Sequence, residues 1–543
     1  MPSSSAVFPF LGRNYVPSQL TKVPDEILAE FFLAYLPCEG EGWQTEAAGG
    51  HEGMWETVGQ NRHPSVDLSH VCRRWRRVAL GTPRLWVQAE IYVPSFPDSE
   101  GRISKLTDMV RALTHRSGTR TMSFTLRLMA RDKGGLGTAP IGATVPFKES
   151  VQDFVDAVCV SSARWRRFSM SGDETYDIPI LKFVDALAGS LPALNYIHLD
   201  TNFETQALPT GLICPLIDTP ALKSVTILQP YGQLDNLPLA AWSSLKSLTL
   251  GSWKKAGFGV GMHSRTALHL LKSLSSLIHL DIHMDHIAPN QAEGYSPVSL
   301  PHLQSLSLKG AAVAPGFAMG LTLPLLESLS FTSLKIMHRE RQEEGILESL
   351  SRFGCTITRF ELDMADFSEA FVVTCAESLM HITTLNIGEL PPRRRNMQHE
   401  AAIRNEDLRF RACLGLGVPT PRAPNRPTCL MATFLRHLTS PFDHEGANFN
   451  GRRYRAPNLE FVSLSWQTNL RGMEVGLVNF IRARSGHHVA HVNTARPLKK
   501  VSAHLYGMRD YNIDIQRELA NCGVGLGILD LQFAYPVPSE HFY

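Results

Sequence analysis

The residues best suited to chemistry lie in the string His279-Leu280-Asp281-Ile282-His283, which combines two imidazoles with one carboxylate. On a strand, alternation places His279, Asp281 and His283 on one face, where they offer nitrogen and oxygen ligands to a metal such as zinc. A polar strand face that binds no metal gives the same pattern, and no second cluster of ligands accompanies this string. We therefore expect a polar surface here, with neither a metal nor another cofactor.

Other motifs that indicate an enzyme are weak or missing. The glycine runs Gly257–Gly261 and Gly523–Gly527 lack the G-x-G-x-x-G spacing between a strand and a helix, and neither has a Walker lysine. The chain has no G-x-S-x-G nucleophile elbow and no H-E-x-x-H pair. Arg393–Arg395 fits a nuclear import signal or a phosphate contact, although a solvated loop is the simpler interpretation. The sequence therefore predicts a protein that is not an enzyme.

Composition narrows the class of protein and its partners. The 543 residues exceed what one hydrophobic core usually supports, and 43% hydrophobic with 19% charged residues is typical of folded domains. Lys and Arg number 53 against 51 Asp and Glu, so we expect neither nucleic acid nor a membrane as partner. The nine cysteines are scattered without a C-x-x-C pair, and the first 20 residues lack a signal-peptide pattern. We expect an intracellular protein, cytoplasmic or nuclear or both.

Two amphipathic helices are predicted near the N-terminus. Pro24-Asp25-Glu26 is typical of a helix start, and apolar residues follow on one broad face up to Leu36. Residues 37–64 have no sustained periodicity and predict a long inserted loop. A second helix is indicated over Leu68–Ala79, with apolar residues at steps of three and four, before Gly81 and Pro83 end it. The first 19 residues are assigned to a tail, and residues 20–90 to this helical module.

Three segments of this module resemble an F-box in the correct order: Val23–Leu28, Leu68–Ala79 and Thr82–Trp86. Val23, where the family usually has leucine, and the long insertion depart from the family pattern. In that family the helices dock on a small acidic adaptor subunit, which connects them to a cullin-based ubiquitin ligase. The resemblance implies docking through Pro24, Ile27, Leu28, Leu68, Val71, Cys72, Trp75, Val78, Leu85 and Trp86. Helices that only cap the following array are the alternative.

A six-residue pattern recurs along the rest of the chain: apolar, two variable, apolar, polar, apolar. Its first positions between Leu194 and Ile382 are separated by 28, 23, 32, 26, 23, 31 and 25 residues. Each copy predicts a short strand whose apolar residues face a core and whose single polar residue faces outward. The outward residues are therefore the candidate contacts with a target protein: His198, Thr226, Thr249, Asp281, Ser307, Ser330, Glu361 and Asn386.

Apolar helical stretches precede many of these strands, and units of helix then strand predict a curved parallel sheet. The clearest stretches are 151–163, 181–190, 267–276, 346–353 and 368–380. Over roughly residues 120–510 the chain resembles leucine-rich repeat proteins, whose period is about 20–29 residues. Only the first copy has the expected asparagine, Asn202, so we expect irregular turns. The pattern breaks at an insertion of about 390–427 and resumes with a helix at 473–484 and a strand at 528–533.

The fold class predicted is α/β: a small all-helical N-terminal F-box-like module, followed over 91–543 by an irregular leucine-rich-repeat solenoid with a curved parallel sheet. Together the two resemblances imply a substrate-recognition adaptor subunit of a cullin-type (SCF-like) E3 ubiquitin ligase, whose repeats bind an unknown protein target. The alternative is a ligase-independent leucine-rich-repeat scaffold for protein interactions.

Overall fold

The computed structural model is a mixed α/β fold that divides into two compact units, residues 1–222 and 223–543. The predicted tail, most of the inserted loop, the predicted helix 181–190 and the insertion 390–427 lie outside the described residues. The structure describes residues 23–36, 63–93, 100–128, 145–172, 191–201, 219, 221–228, 243–251, 262–286, 297–310, 316–332, 339–354, 356–363, 367–388, 430–439, 441–442, 453–454, 456–466, 470–485, 496–505, 514–524 and 529–534.

Within the described residues, the first unit begins with three α-helices and a short 3₁₀-helix. These are α1 (Asp25–Tyr35), α2 (Pro64–Val71), α3 (Arg73–Leu80) and the 3₁₀-helix Pro83–Trp86. The single second helix predicted over Leu68–Ala79 is wrong in one respect, because Cys72 has an extended backbone and separates α2 from α3. The Cys72 sulfur accepts a hydrogen bond from the Trp75 backbone N–H at 3.4 Å, which caps α3 as a hydroxyl would.

Four parallel strands follow among the residues that the structure describes, each paired with the next in chain order. They are β1 (Gln88–Val93), β2 (Met122–Leu128), β3 (Trp165–Gly172) and β4 (Tyr196–Thr201), with α4 (Glu100–Arg116) after β1 and α5 (Val145–Cys159) after β2. Ala89, Phe124, Phe168 and Ile197 lie in register and are buried. The strand array therefore starts at Gln88, before the boundary predicted at residue 91.

In the described part of the second unit, ten parallel strands pair in chain order. They are β5 (Ser224–Ile227), β6 (Ser247–Leu250), β8 (His279–His286), β10 (Ser305–Gly310), β12 (Ser328–Thr332), β13 (Arg359–Asp363), β14 (Thr384–Gly388), β17 (Phe461–Trp466), β18 (Lys500–Leu505) and β19 (Asp530–Ala534). Short strands lie beside them: β7 (Met262–His263) pairs with β8, β9 (Val298–Ser299) with β11 (Leu321–Thr322), and β15 (Pro441–Phe442) with β16 (Arg453–Tyr454).

Helices lie between many of these strands, as the repeat pattern predicts. They are α6 (Ser264–Leu271), α7 (Arg339–Phe353), α8 (Glu369–Ser378), α9 (Leu430–Thr439), α10 (Leu470–Ser485) and α11 (Ile515–Asn521). Two of them, α9 and α10, approach closely, since a Cβ on Gly476 would lie 2.9 Å from that of Ala432. Within the described ranges, no helix is both long enough and apolar enough to cross a membrane.

The core of the second unit is a stacked row of apolar side chains. Leu248, Leu280, Leu306 and Leu329 are neighbours in register, and each is at most 2% exposed. The row continues through Phe360, Leu385, Val462 and Val501. Because side chains alternate along a strand, burying this row directs the intervening polar residues to the other face.

Candidate functional site

The residues predicted to dock on an adaptor fall into three groups by burial. Leu28, Leu68, Val78, Leu85 and Trp86 are buried and form the core of the helical module. Trp75 is half-buried, and its ring lies 4.8 Å from that of the buried Phe32. The four exposed members are Pro24, Ile27, Val71 and Cys72. The exposed members are accessible at the surface of the module, while the buried ones hold the helices together.

Helix α1 carries an exposed apolar face that consists of Ile27, Phe31 and Tyr35. These residues are spaced by four along the helix, so they lie on the same side, and Phe31 is 61% exposed. Leu28 and Phe32, one position further along, are buried on the adjacent face of the helix. Two further large apolar side chains, Val71 and Leu80, are exposed near the ends of α2 and α3. Phe31, Tyr35 and Leu80 are exposed apolar residues outside the predicted docking set. The helical spacing of Phe31 and Tyr35 was visible in the sequence, whereas no pattern singled out Leu80.

Ion pairs fix the start of α1 against α3. Asp25 accepts from Arg74 at 2.7 Å and from Arg77 at 2.9 Å, and Arg74 also donates to the Val23 carbonyl. Hydrogen bonds from the two guanidinium groups hold the pKa of Asp25 below its ordinary value of 3.8. These contacts orient the α1 apolar face relative to the module core.

Trp86 joins the helical module to the first strand and to α4. Its indole N–H donates to the Ala79 carbonyl at 2.8 Å, His63 stacks on its ring at 5.6 Å between centroids, and the Arg116 guanidinium lies 4.6 Å from the ring centroid. The His63 Nε2 lies 2.5 Å from the Gln88 carbonyl, while Nδ1 accepts from the Ser65 N–H. Burial is the largest effect on the pKa of His63 and lowers it from 6.5.

The predicted target contacts of the second unit form one row across neighbouring strands. We call this row the outward row: Thr226, Thr249, Asp281, Ser307, Ser330, Glu361 and Asn386, continued by Ser463, Ser502 and Gln532. Seven members are half-buried, Glu361 and Gln532 are exposed, and Ser330 is buried. Seven of the eight predicted residues are thus brought together, and adjacent strands place their backbones about 4.8 Å apart.

His198 belongs to the corresponding row of the first unit. There it lies in register with Ser169, which is followed by Thr125 and Glu90. Thr125 and Ser169 are buried and His198 is half-buried. This row is therefore less accessible than the outward row of the second unit.

Polar contacts within the second unit organise its row. The Lys309 ammonium lies 2.6 Å from Asp281 Oδ2, and the Ser330 hydroxyl donates to Glu361 Oε2 at 2.8 Å. Asp281, the carboxylate of the His279–His283 string considered for a metal, is thus paired with the Lys309 ammonium. Across the part of the chain that the structure describes, no group of three or more His, Cys, Asp and Glu residues could hold a metal ion.

The fold and these surfaces define a mixed α/β protein with an extensive parallel strand array and a polar row that faces outward. A scan against models of known protein families finds no match to the chain, and a search of curated proteins finds no relative.

Proposed function

We propose that this chain is the substrate-recognition adaptor subunit of a cullin-type (SCF-like) E3 ubiquitin ligase. The helical module docks on the small acidic adaptor subunit, and the strands of an irregular leucine-rich-repeat solenoid hold a target protein. The chain itself forms no covalent bond, because it acts by raising the effective concentration of target lysines near the ubiquitin-carrying enzyme.

The observation that carries the docking proposal is the exposed apolar face of α1. A helix of a folded module normally buries its large apolar residues, yet Ile27, Phe31 and Tyr35 remain exposed beside a packed core. Exposed apolar patches of this kind mark interaction sites. The F-box resemblance of residues 20–86 supplies the identity of the partner in this proposal.

The outward row supports target binding. Its hydroxyl, amide and carboxylate groups recur at each strand with a shared register, which offers many hydrogen-bonding groups to an extended partner surface. The row rests on a buried apolar spine, so these groups are held on rigid elements.

Co-purification with the adaptor subunit tests the docking proposal. Phe31→Glu places a charge on the α1 apolar face, and we expect it to reduce capture at least tenfold because a desolvated charge replaces an aromatic anchor. Val160→Glu is the matched control: Val160 is 82% exposed and lies after α5, so adaptor capture should be unchanged. Circular dichroism of both variants checks that each remains folded.

The scaffold alternative has its own structural support in the stack of His63, Trp86 and Arg116. This stack ties the helices to β1 and α4, as a cap on the strand array requires. If the folded wild-type chain captures no adaptor, the ligase proposal fails and the scaffold alternative replaces it.

A further inference from the structure

One aromatic residue interrupts a polar row on the outward face of the second unit. The strand positions two residues before the outward row are also in register, and we call them the entry row: Ser224, Ser247, His279, Ser305, Ser328, Arg359, Thr384, Phe461, Lys500 and Asp530. Phe461 is the single apolar member and is 39% exposed. Among the described strand residues, it is also the only large apolar side chain that is exposed.

Cationic residues lie on both sides of Phe461 in the entry row. Lys500 lies next to Phe461 in register, and the Lys499 ammonium lies 5.8 Å from the ring centroid. Arg359 is exposed on the other side, two strands away across Thr384. Given the spacing of about 4.8 Å between strands, Lys500 and Arg359 lie within about 10 Å of Phe461 along the row.

The carboxylate of Glu460, the residue before Phe461, is less exposed than the cations that pair with it. The Glu460 side chain is 11% exposed and pairs with Lys499 at 2.7 Å and with Arg496 at 3.0 Å, whose side chains are 59% and 58% exposed. Lys500 pairs with Asp530 at 3.3 Å. Glu361 is exposed two residues after Arg359 on the same strand. Arg359, Arg496, Lys499 and Lys500 therefore face three carboxylates, those of Glu361, Glu460 and Asp530, and the cluster keeps an excess of one positive charge.

We propose that Phe461, with Arg359, Lys499 and Lys500, binds an acidic segment of a protein partner. An apolar side chain of that segment packs on the Phe461 ring, and flanking carboxylates approach the cations. Alternate side chains of an extended peptide are separated by about 7 Å. This distance lies between the step of about 5 Å to Lys500 and the two steps of about 10 Å to Arg359, and the long side chains of both cations can span the difference. Aromatic anchors with flanking charges are typical of interaction hot spots. This inference deepens the proposed function, because it names the chemistry of the target.

Peptide display on the purified full-length chain tests the inference. A random twelve-residue library is panned against the wild-type protein, and the selected sequences should be enriched in Asp and Glu around an apolar residue. Phe461→Ser and Lys500→Glu should each weaken the best selected peptide about tenfold in fluorescence anisotropy. Raising the salt concentration from 0.05 to about 0.5 M should weaken it further, because exposed charge pairs are screened.

Two control variants separate this site from general surface effects. Val475→Ser removes an apolar side chain of similar exposure (45%) on α10, and Lys272→Glu reverses an exposed lysine after α6. Both should bind the selected peptide as the wild type does. Circular dichroism establishes that all four variants fold.

The inference is overturned if panning yields no binders, if the selected peptides are not acidic, or if Phe461→Ser binds them normally. Binding of a labelled oligothymidylate with loss in the same two variants would also overturn it in favour of nucleic acid. Adaptor capture measured on the same preparations distinguishes the two proposals. Normal capture without binding of an acidic peptide contradicts only this inference. Binding of an acidic peptide without capture contradicts only the ligase proposal.

Discussion

At the scale of single residues, His63 is half-buried, and its surroundings favour the neutral ring over the protonated one. Its Nδ1 accepts a hydrogen bond from the Ser65 backbone N–H, and protonation removes that acceptor. Two charged groups lie near it. Asp67 acts to raise the pKa of His63, and the Arg116 guanidinium contacts the Trp86 ring on which His63 stacks. Burial nevertheless determines the direction of the pKa shift, which is downward.

We expect this shift to make stability depend on pH. Below about pH 6.5 the unfolded chain binds a proton at residue 63 that the folded chain does not, so the free energy of unfolding falls as the pH falls toward the lowered pKa. Urea denaturation at pH 7.5 and 5.5 measures this loss. His63→Gln cannot titrate, so its loss between the two pH values should be smaller; an equal loss would contradict the assignment.

Gly310 is a second position where one residue decides local structure. Its φ is +85°, and an added Cβ would lie 2.3 Å from the Met284 carbonyl oxygen and 2.7 Å from His283 Nε2. Gly310→Ala should therefore lower the free energy of unfolding by about 2–4 kcal/mol in urea denaturation. Gly101→Ala in α4, which meets nothing within 4 Å, should be neutral or raise it by up to about 1 kcal/mol. Equal effects of the two substitutions would contradict this description.

At the scale of elements, alternation along each strand separates core from surface. Leu306→Ala leaves a cavity between Leu280 and Leu329, and we expect a loss of about 2–5 kcal/mol in the free energy of unfolding. Ser307→Ala, on the half-buried outward row, should change it by no more than about 0.5 kcal/mol. Urea denaturation followed by circular dichroism compares them, and a larger effect at Ser307 would reverse the assignment of the two faces.

Most strands could be predicted because burial on one face forces a repeated spacing of apolar residues. Strand β1 was missed although Trp86-x-x-Ala89-Glu90-Ile91 carries the same pattern, since Trp86 also completes the F-box-like series. The break between α2 and α3 was also missed. Apolar residues continue at helical steps through Cys72, and periodicity does not report that one extended backbone residue turns the chain.

At the scale of the whole molecule, the sequence predicts which residues share the outward row. It does not predict how exposed each residue is. Thr226 and Asn386 are more than 150 residues apart, and repeat copies alone placed them in one row. Spacing did not reveal which docking residues are buried, because that depends on packing between helices far apart in sequence. Phe461 was overlooked because its position is one of the two variable ones in the six-residue pattern.

In the proposed function, two surfaces have separate tasks: the apolar face of α1 binds the adaptor, and the outward face of the second unit binds the target. Variants of each surface should therefore lose different partners. Ile27→Glu combined with Phe31→Glu changes only the α1 apolar face, and Phe461→Ser combined with Lys500→Glu changes only the entry row.

Affinity purification of the tagged full-length chain with quantitative mass spectrometry, run on wild type and these two double variants, tests this central claim most directly. We predict that the α1 variant loses the adaptor subunit and keeps the remaining partners, while the entry-row variant keeps the adaptor and loses an acidic partner. Absence of the adaptor from the folded wild-type sample, or loss of the same partners from both variants, would contradict the account.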